Sequence, residues 1–583
     1  MKKWEVLNKL KVPHFAKASR GKQNSKFKTE ELIGILLENR GIKTKKEIDE
    51  FLNPKLEDVT ADSVGIDKKN LKRTIERIKK AISKKEQIIV FGDYDVDGIC
   101  GTAILWETLS SLGANAMPYI PHRVDEGYGL SVKAIQSSEF MSQKPKLIIT
   151  VDNGIVANEA VEFANKQGID VIITDHHVPP ADGPKKLPKA YSIVHTTKLC
   201  GTGVAYLLAQ KIQNSSIRQA QDKIQNSHLE LVALATVADL VPLTGANRTL
   251  LAYGLRELQK TKRIGLLELF NEAAIDKEKI DPYAIGHVIA PRLNAMGRLE
   301  YAMDSLRLLC TNNKKRALDL AQLIGNTNRQ RQLLTIETTQ HAFAEIKARN
   351  SRLRQGFGGQ AKLKKLIFIS HESYEQGVIG LVAGRLVEEF YKPAIVLSKG
   401  EKYSKASARS VSGFNIIEFI RSSSDLLIDA GGHPMAAGFT VETKNLSLLQ
   451  KKLEDLAEKL LNDGHLTRTL KIDYELDLSL VDKNLYQEIQ KLSPFGMKNP
   501  EPTFLSKNII IEDMRIVGRD GKHMKLKVKS QNAKVKIDGI AFGMGERIKE
   551  FHVGDSVNIV YTIDNNVWNG NSTLQLKIKD IKN

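Results

Sequence analysis

Three apolar segments, each ending in an acidic or histidine-bearing turn, constrain this chain more than any other feature. Ile88-Ile89-Val90-Phe91 runs into Gly92-Asp93-Tyr94-Asp95-Val96-Asp97-Gly98. Leu147-Ile148-Ile149-Thr150-Val151 runs into Asp152-Asn153-Gly154, and Val171-Ile172-Ile173-Thr174 into Asp175-His176-His177. Short apolar runs rich in β-branched residues read as strands buried on both faces. Helical patterns over 99–112 and 158–167, and a strand over 116–120, alternate with them. That alternation predicts a parallel sheet covered by helices on both sides. In such a sheet every strand points the same way, and ligands bind beyond the carboxyl ends. The fold itself is therefore expected to bring Asp93, Asp95, Asp97, Asp152, Asp175, His176 and His177 to one edge.

Carboxylates gathered this closely repel one another, and a hard divalent cation relieves the repulsion. The first acidic turn also fits the opening of an EF-hand loop. That alternative fails because Ile104 stands at the twelfth position, where a bidentate Glu is required, and because a strand precedes the loop in place of a helix. A further contribution is expected from Asp239, which ends an apolar helical run over 231–238 and precedes Leu240-Val241-Pro242. An aspartate between apolar segments is costly to bury unless it is paired or metal-bound.

The chain has 583 residues, enough for several domains, and 87 basic against 68 acidic side chains give a net charge of +19. Such a balance suggests a polyanionic partner, nucleic acid first. Cys100, Cys200 and Cys310 are far apart and lack C-x-x-C spacing, which argues against structural zinc and a disulfide framework and fits a reducing compartment. No run of 18 apolar residues appears and no signal-type apolar core follows Met1-Lys2-Lys3, so no membrane association and a cytoplasmic location are expected.

The rest of the chain sorts by period. Residues 1–85 read as a helical lead-in, with amphipathic stretches over 30–39, 46–52 and 70–83. The acidic strand ends lie in a segment bounded at 86–260, followed by a bridging segment over 261–350 that includes a long polar helix at 316–348, whose Asn326, Asn328, Arg329 and Arg331 either line a nucleic-acid path or belong to a solvated connector. A second α/β pattern occupies 366–467, with strands at 366–370 and 394–397, a helix at 377–390 and a Gly431-Gly432-His433 loop. Residues 468–583 switch to short alternating strands with turns at Asp520-Gly521 and Asn569-Gly570, which suggests a small barrel of the OB type. Lys525, Lys527 and Lys529 share one face of a strand there, as suits a tracked phosphate backbone. Two stretches read as inserted, exposed loops: 211–227, where Lys-Ile-Gln-Asn-Ser occurs twice, and 352–365. The expected architecture is α/β, with two α/β lobes joined by a long helix and a C-terminal β-barrel.

Gly92-Asp93-Tyr94-Asp95-Val96-Asp97-Gly98, Val151-Asp152-Asn153-Gly154-Ile155, Asp175-His176-His177 and the segment 235–242 resemble the four motifs of the DHH phosphoesterase superfamily. Within it the likeness is to the RecJ family of bacterial single-strand-specific 5′-to-3′ DNA exonucleases. The segment 291–299 is similar to the piece that bridges the family's catalytic lobes. Segments 375–386, 407–409 and 431–439 resemble its DHHA1 domain, and 494–502 the entry to its OB fold.

The resemblance implies two divalent cations, Mn²⁺ or Mg²⁺. Asp93, Asp95 and Asp152 would hold one; Asp97, Asp152, His176 and Asp239 the other, with Asp152 bridging. His177 would face the phosphate and Asp175 would orient its neighbours. Arg123, Ser407 and Arg409 would grip the 5′-terminal phosphate, Gly431, Gly432 and His433 would contact a phosphoryl group, and Arg298 would meet the DNA backbone. The resemblance further implies a monomeric enzyme of DNA recombination and repair acting on single-stranded DNA beside a helicase and a single-strand-binding protein. Two alternatives are weaker. Relatives that cleave short oligonucleotides or cyclic dinucleotides typically lack the barrel, and scaffold relatives without metal lack ligands, whereas every motif position is filled here.

Overall fold

The first strand–helix alternation folds into a five-stranded, all-parallel sheet. Its strands are β1 (Ile88–Gly92), β2 (Ala116–Tyr119), β3 (Leu147–Val151), β4 (Asp170–Asp175) and β5 (Ser192–His195), in the order β2-β1-β3-β4-β5. The order reverses between β1 and β3, the kind of switch point at which open α/β sheets hold ligands. Asp93 and Asp152 follow these two strands. The computed structural model describes residues 2–7, 29–123, 125–127, 129–179, 187–214, 228–356, 364–530, 536–568 and 571–583.

One face of the sheet packs Ile89, Phe91, Ile148 and Ile173 against Phe140, Val161 and Ala164. On the other side lie α1 (Val96–Ser111), α2 (Gly201–Asn214) and α3 (Leu229–Ala238). α2 and β5 went unanticipated. The start of the expected 211–227 loop therefore differs: residues 211–214 close α2, with Ile212 fully buried, and 215–227 lie outside the described residues.

Helix α4 (Ala290–Leu299) leads toward α5 (Lys314–Gly356), a 43-residue helix about 65 Å long at the usual rise. The expected insertion at 352–365 begins inside α5, since backbone helix continues to Gly356; 357–363 lie outside the described residues. The second lobe is a mixed sheet of β6 (Ile367–His371), β7 (Ala394–Ser398), β8 (Tyr403–Arg409), β9 (Leu427–His433) and β10 (Ala436–Glu442), ordered β9-β10-β8-β7-β6, with α6 (Ile379–Phe390) packed on β7 and β8. Gly431, Gly432 and His433 were expected in a loop. They instead end edge strand β9, where Gly431 pairs with Gly438, Gly432 with Ala437 and His433 with Ala436.

The chain forms two compact units: this one, Thr60–Asp239 with Tyr253–Arg468, and a second made of Met1–Val59, Leu240–Ala252 and Thr469–Asn583. In the second, Phe504–Val517, His523–Ser530, Lys536–Ala541, Ser556–Trp568 and Asn571–Lys582 close into a five-stranded barrel. The expected turn at 569–570 lies outside the described residues. Helices Thr29–Asn39 and Lys45–Leu52 bury Leu32, Leu36, Leu37 and Phe51 in the same core as the barrel's Phe504, Ile511 and Tyr561. A short strand, Lys3–Val6, pairs in parallel with Thr469–Ile472. No helix among the described residues is long and apolar enough to cross a membrane.

Candidate metal and phosphate site

The turn after β1 doubles back tightly enough that only glycine fits at position 98: a Cβ there would lie 2.5 Å from the backbone nitrogen and oxygen of Asp93. α1 starts inside this turn. The Asp95 carboxylate accepts the amides of Asp97 at 2.9 Å and Gly98 at 3.1 Å, and so caps the helix. The Val96 amide is taken by Asn294 Oδ1 of α4 at 2.9 Å. Asp97, in the first turn of α1, is held by the start of α2. Gly201 donates to its Oδ2 at 2.6 Å, and Thr202 to its Oδ1 at 2.7 Å. A helix N-terminus favours a negative charge there. Gly201 is also pressed against the next acid, for a Cβ would lie 2.6 Å from that of Asp152.

Asp152 follows β3 in the left-handed region, with φ of 61°, a conformation that aspartate tolerates better than most residues. Asn153 secures the turn, donating to the carbonyls of Val151 at 2.8 Å and Phe91 at 3.3 Å and accepting from Leu130 at 3.2 Å. At the end of β4, Asp175 accepts from the amides of His176, His177 and Ile155, and from His177 Nδ1 at 2.8 Å. It therefore orients both histidines and faces the backbone. His195 of β5 donates to the His177 carbonyl at 2.7 Å.

These placements bring the predicted carboxylates and imidazoles together. One potential ligand atom each from Asp93, Asp95 and Asp152 lies within 4.8 Å of the others, as does one each from Asp97, His176 and Asp239, and one each from Asp152, His176 and His177. His176 Nε2 stands 3.1 Å from Asp152 Oδ1, 3.5 Å from Asp239 Oδ2 and 3.7 Å from Asp97 Oδ2. Asp93 Oδ1, Asp152 Oδ1 and His176 Nε2 are all buried without a hydrogen-bond partner. Buried polar atoms are seldom left so, and these converge on the same small volume. Burial followed by neighbouring carboxylates raises Asp93, Asp95 and Asp152, and pushes Asp239 up to about 9. Burial opposes a charge on His177, but Asp175, Asp239 and Asp93 outweigh it and lift the ring to about 9. Orphaned oxygen and imidazole donors amid mutually repelling acids fit hard divalent cations.

His433 approaches from the second lobe, its ring 6.1 Å from that of His177 and nearly parallel to it; burial and then His177 lower its pKa. Beside it Arg409 donates to Ser407 Oγ at 3.1 Å and to the Ala408 carbonyl at 2.9 Å. Arg298, on α4, donates to the Gly377 carbonyl at 3.2 Å. Arg123 lies over the Tyr94 ring, 5.0 Å from its centroid. Burial and then the charges of Arg123, Arg331 and Arg409 pull Arg298 down to about 10; burial and Arg123 also lower Arg409. Among the described residues, none of these four arginines has a carboxylate within ion-pair distance. A pocket of like charges taken partly out of water suits an incoming phosphate.

Arg331, from the middle of the long polar helix, joins the arginine group from α5. Two contributors had gone unassigned in sequence: Asn294 secures the catalytic turn, and Gly201-Thr202 clasp Asp97. Only the last left a recognisable signal, in the small residues Gly201-Thr202-Gly203 that open a helix and permit close approach.

A parallel sheet whose switch point, together with the end of α3, gathers five acids and two histidines, faced by a second lobe that carries Arg409 and His433, defines a phosphoesterase of the DHH class. Family models agree: the DHH family N-terminal domain matches residues 87–236, the DHHA1 domain 361–459 and the RecJ OB domain 472–580. The single-stranded-DNA-specific exonuclease RecJ of Bacillus subtilis is 35% identical over 560 residues, covering 94% of this chain and 67% of that protein. Its Escherichia coli counterpart is 30% identical over 573 residues, covering 94% of this chain and 95% of that one. The crystal structure of Thermus thermophilus RecJ in complex with Mn²⁺ superposes with a TM-score of 0.77 at 27% identity, covering all of this chain and 79% of that one; its Mg²⁺ complex gives 0.72. The chain belongs to the RecJ family.

Proposed function

We propose that this protein is a metal-dependent exonuclease that removes nucleotides from the 5′ end of single-stranded DNA, in recombination and repair. The observation that carries the reading is the set of buried, unpartnered ligand atoms on Asp93, Asp152 and His176, set beside arginines that lack acidic partners. Asp93, Asp95 and Asp152 would hold one cation and Asp97, Asp152, His176 and Asp239 another. When bound, such a pair supplies a nucleophile at neutral pH and offsets the charge that grows on the phosphoryl oxygens.

The chain's own residues do the rest. Asp175 accepts from His177 Nδ1, which orients the ring and favours its charged form, so that Nε2 can donate to a phosphoryl oxygen. His433 donates from the opposite side, and Gly431 and Gly432 let strand β9 approach closely. Arg123, Ser407 and Arg409 hold the 5′-terminal phosphate, with Arg298 on the following backbone. Polarity comes from which end this pocket accepts, and a single strand is selected because a duplex is too wide for a groove between two lobes. The location is cytoplasmic, the state monomeric, and the working partners a helicase and a single-strand-binding protein; family membership is what supports these three statements.

The test is Mn²⁺-dependent release of nucleotides from a 5′-phosphorylated single strand, compared with duplex and dinucleotide. Expected is hydrolysis of the single strand alone, lost on chelation. Equal hydrolysis of the duplex would overturn strand selectivity, and preference for the dinucleotide would make this an oligonucleotide phosphodiesterase.

A further inference from the structure

The segment before α4 presents an aromatic pair that the catalytic reading does not use. Tyr283 is 66% exposed, and its ring stacks on His287 with centroids 4.2 Å apart and planes at 15°. The pair is fixed locally, since His287 Nδ1 donates to the Tyr283 carbonyl at 3.2 Å. Such a flat, exposed π surface is not explained by packing.

Its position is informative. A π-helical turn at Ile285–Ile289 leads directly into α4. Along this continuous stretch Tyr283 and His287 are exposed and Pro291, Asn294 and Arg298 are partly buried, while Ile285, Ile289, Leu293 and Met296 are buried. Spacings of four, four, three and four residues place those five on one face. The stripe therefore starts at the ring pair and ends at two groups of the site already described: Asn294, which holds the Val96 amide, and Arg298 in the arginine pocket. The π turn also packs on α3, the helix that ends at Asp239. At about 1.5 Å per residue, the fifteen residues between Tyr283 and Arg298 span about 22 Å.

We propose that the stacked rings of Tyr283 and His287 form a platform for a base of single-stranded DNA, on the 3′ side of the phosphate held by the arginines. The inference rests on the nuclease reading above and adds a second point of grip. Base stacking on an aromatic face tolerates any sequence, as an enzyme that consumes a strand base by base requires. A strand running along α4 passes the backbone grip first and the platform last.

Strand length separates this idea from the reading beneath it. A trinucleotide, at about 3.4 Å per stacked nucleotide, is too short to span from the phosphate pocket to the rings, whereas a strand of about twenty nucleotides reaches them. KM is measured for both, 5′-phosphorylated, with Mn²⁺ and the full chain. Tyr283→Ala is expected to raise the ratio of the long-strand KM to the trinucleotide KM about tenfold, and Tyr283→Trp to restore it. In the Tyr283→Trp variant, the long strand should also quench indole fluorescence more than the trinucleotide does. An unaltered KM ratio in Tyr283→Ala, or equal losses on both lengths, would overturn the platform. A wild-type protein that hydrolyses neither strand would remove the nuclease reading, and the platform with it.

Discussion

Arg248 and Arg298 are both drawn down to about 10, chiefly by burial, yet their surroundings are opposite. Arg248, only 3% exposed, donates to five backbone carbonyls, those of Phe51, Lys491, Leu492, Ser493 and Pro494, at 2.7 to 3.5 Å. Its guanidinium also lies 3.8 Å from the centroid of the Phe51 ring. Folding alone satisfies it. Arg298 has one carbonyl acceptor among the described residues, Gly377, and faces Arg123, Arg331 and Arg409. Folding leaves that group short of acceptors and crowded with like charge. The same contrast separates Asp175, which accepts four N–H groups, from Asp93 and Asp152, each with an orphaned oxygen. A buried charge that the chain saturates holds structure together; one that it leaves wanting is set aside for a ligand.

If that division is right, variants on its two sides should move activity and stability in opposite ways. The largest effect is expected from Asp152→Ala, which should lower kcat for single-stranded DNA about a thousandfold or more, because one carboxylate serves both ligand groups. In chelator the same variant should unfold at no lower temperature than wild type, since a mutually repelling acid has been removed. Arg248→Met should do the reverse. It takes the donor from the carbonyls of Phe51, Lys491 and Ser493, while those of Leu492 and Pro494 keep the Asn499 amide, and should cost about 3 kcal/mol or more of stability, with turnover per folded molecule within about threefold. An Asp152→Ala protein that melts as early as Arg248→Met would break the comparison.

Arg409→Ala comes next. Loss of a charge-assisted contact should raise KM for a 5′-phosphorylated strand about 10- to 100-fold, with much less effect on a strand that ends in a 5′-hydroxyl. Melting should be unaltered or improved, as one of several crowded cations is gone. Equal losses on both strand types would place Arg409 away from the terminal phosphate.

How much of this was legible in the sequence follows from where each side chain points. Most metal-ligand candidates announced themselves because they follow or end strands of largely apolar residues, and a parallel sheet has only one edge where such strands can end; Asp239 instead caps the apolar helix α3. α2 escaped notice for the opposite reason: Gly201 through Ala209 are all buried, so no polar stripe marks a helical period. Strand β8 was hidden by its composition. Ser404, Ala406 and Ala408 are its buried residues, too small and too weakly apolar to mark a strand in sequence. The pairing of Lys3–Val6 with Thr469–Ile472 left no local trace, because its two strands are separated by nearly the whole chain.

The smallest effect should come from the barrel strand whose three lysines suggested a phosphate track. The inward half of that reading matches the packing, for Met524, Leu526 and Val528 are buried. Its outward half is less basic than the sequence implied. Lys525 pairs with Asp538 at 3.1 Å, and Lys529 with Glu512 at 3.4 Å, an acid that Lys536 also meets at 2.7 Å. Lys527 is exposed and has no ion-pair partner among the described residues. A lysine already neutralised by a cross-strand acid gives little net charge to a phosphate, although exposed pairs of this kind are individually weak. Each phosphate contact on a single strand contributes about 0.7 to the slope of log affinity against log salt. Lys527→Ala should therefore flatten that slope by about 0.7, while Lys525→Ala and Lys529→Ala each flatten it by less. If all three variants moved the slope equally, the strand would act as a uniform basic track, and the partition between saturated and waiting charges would not extend to the barrel surface.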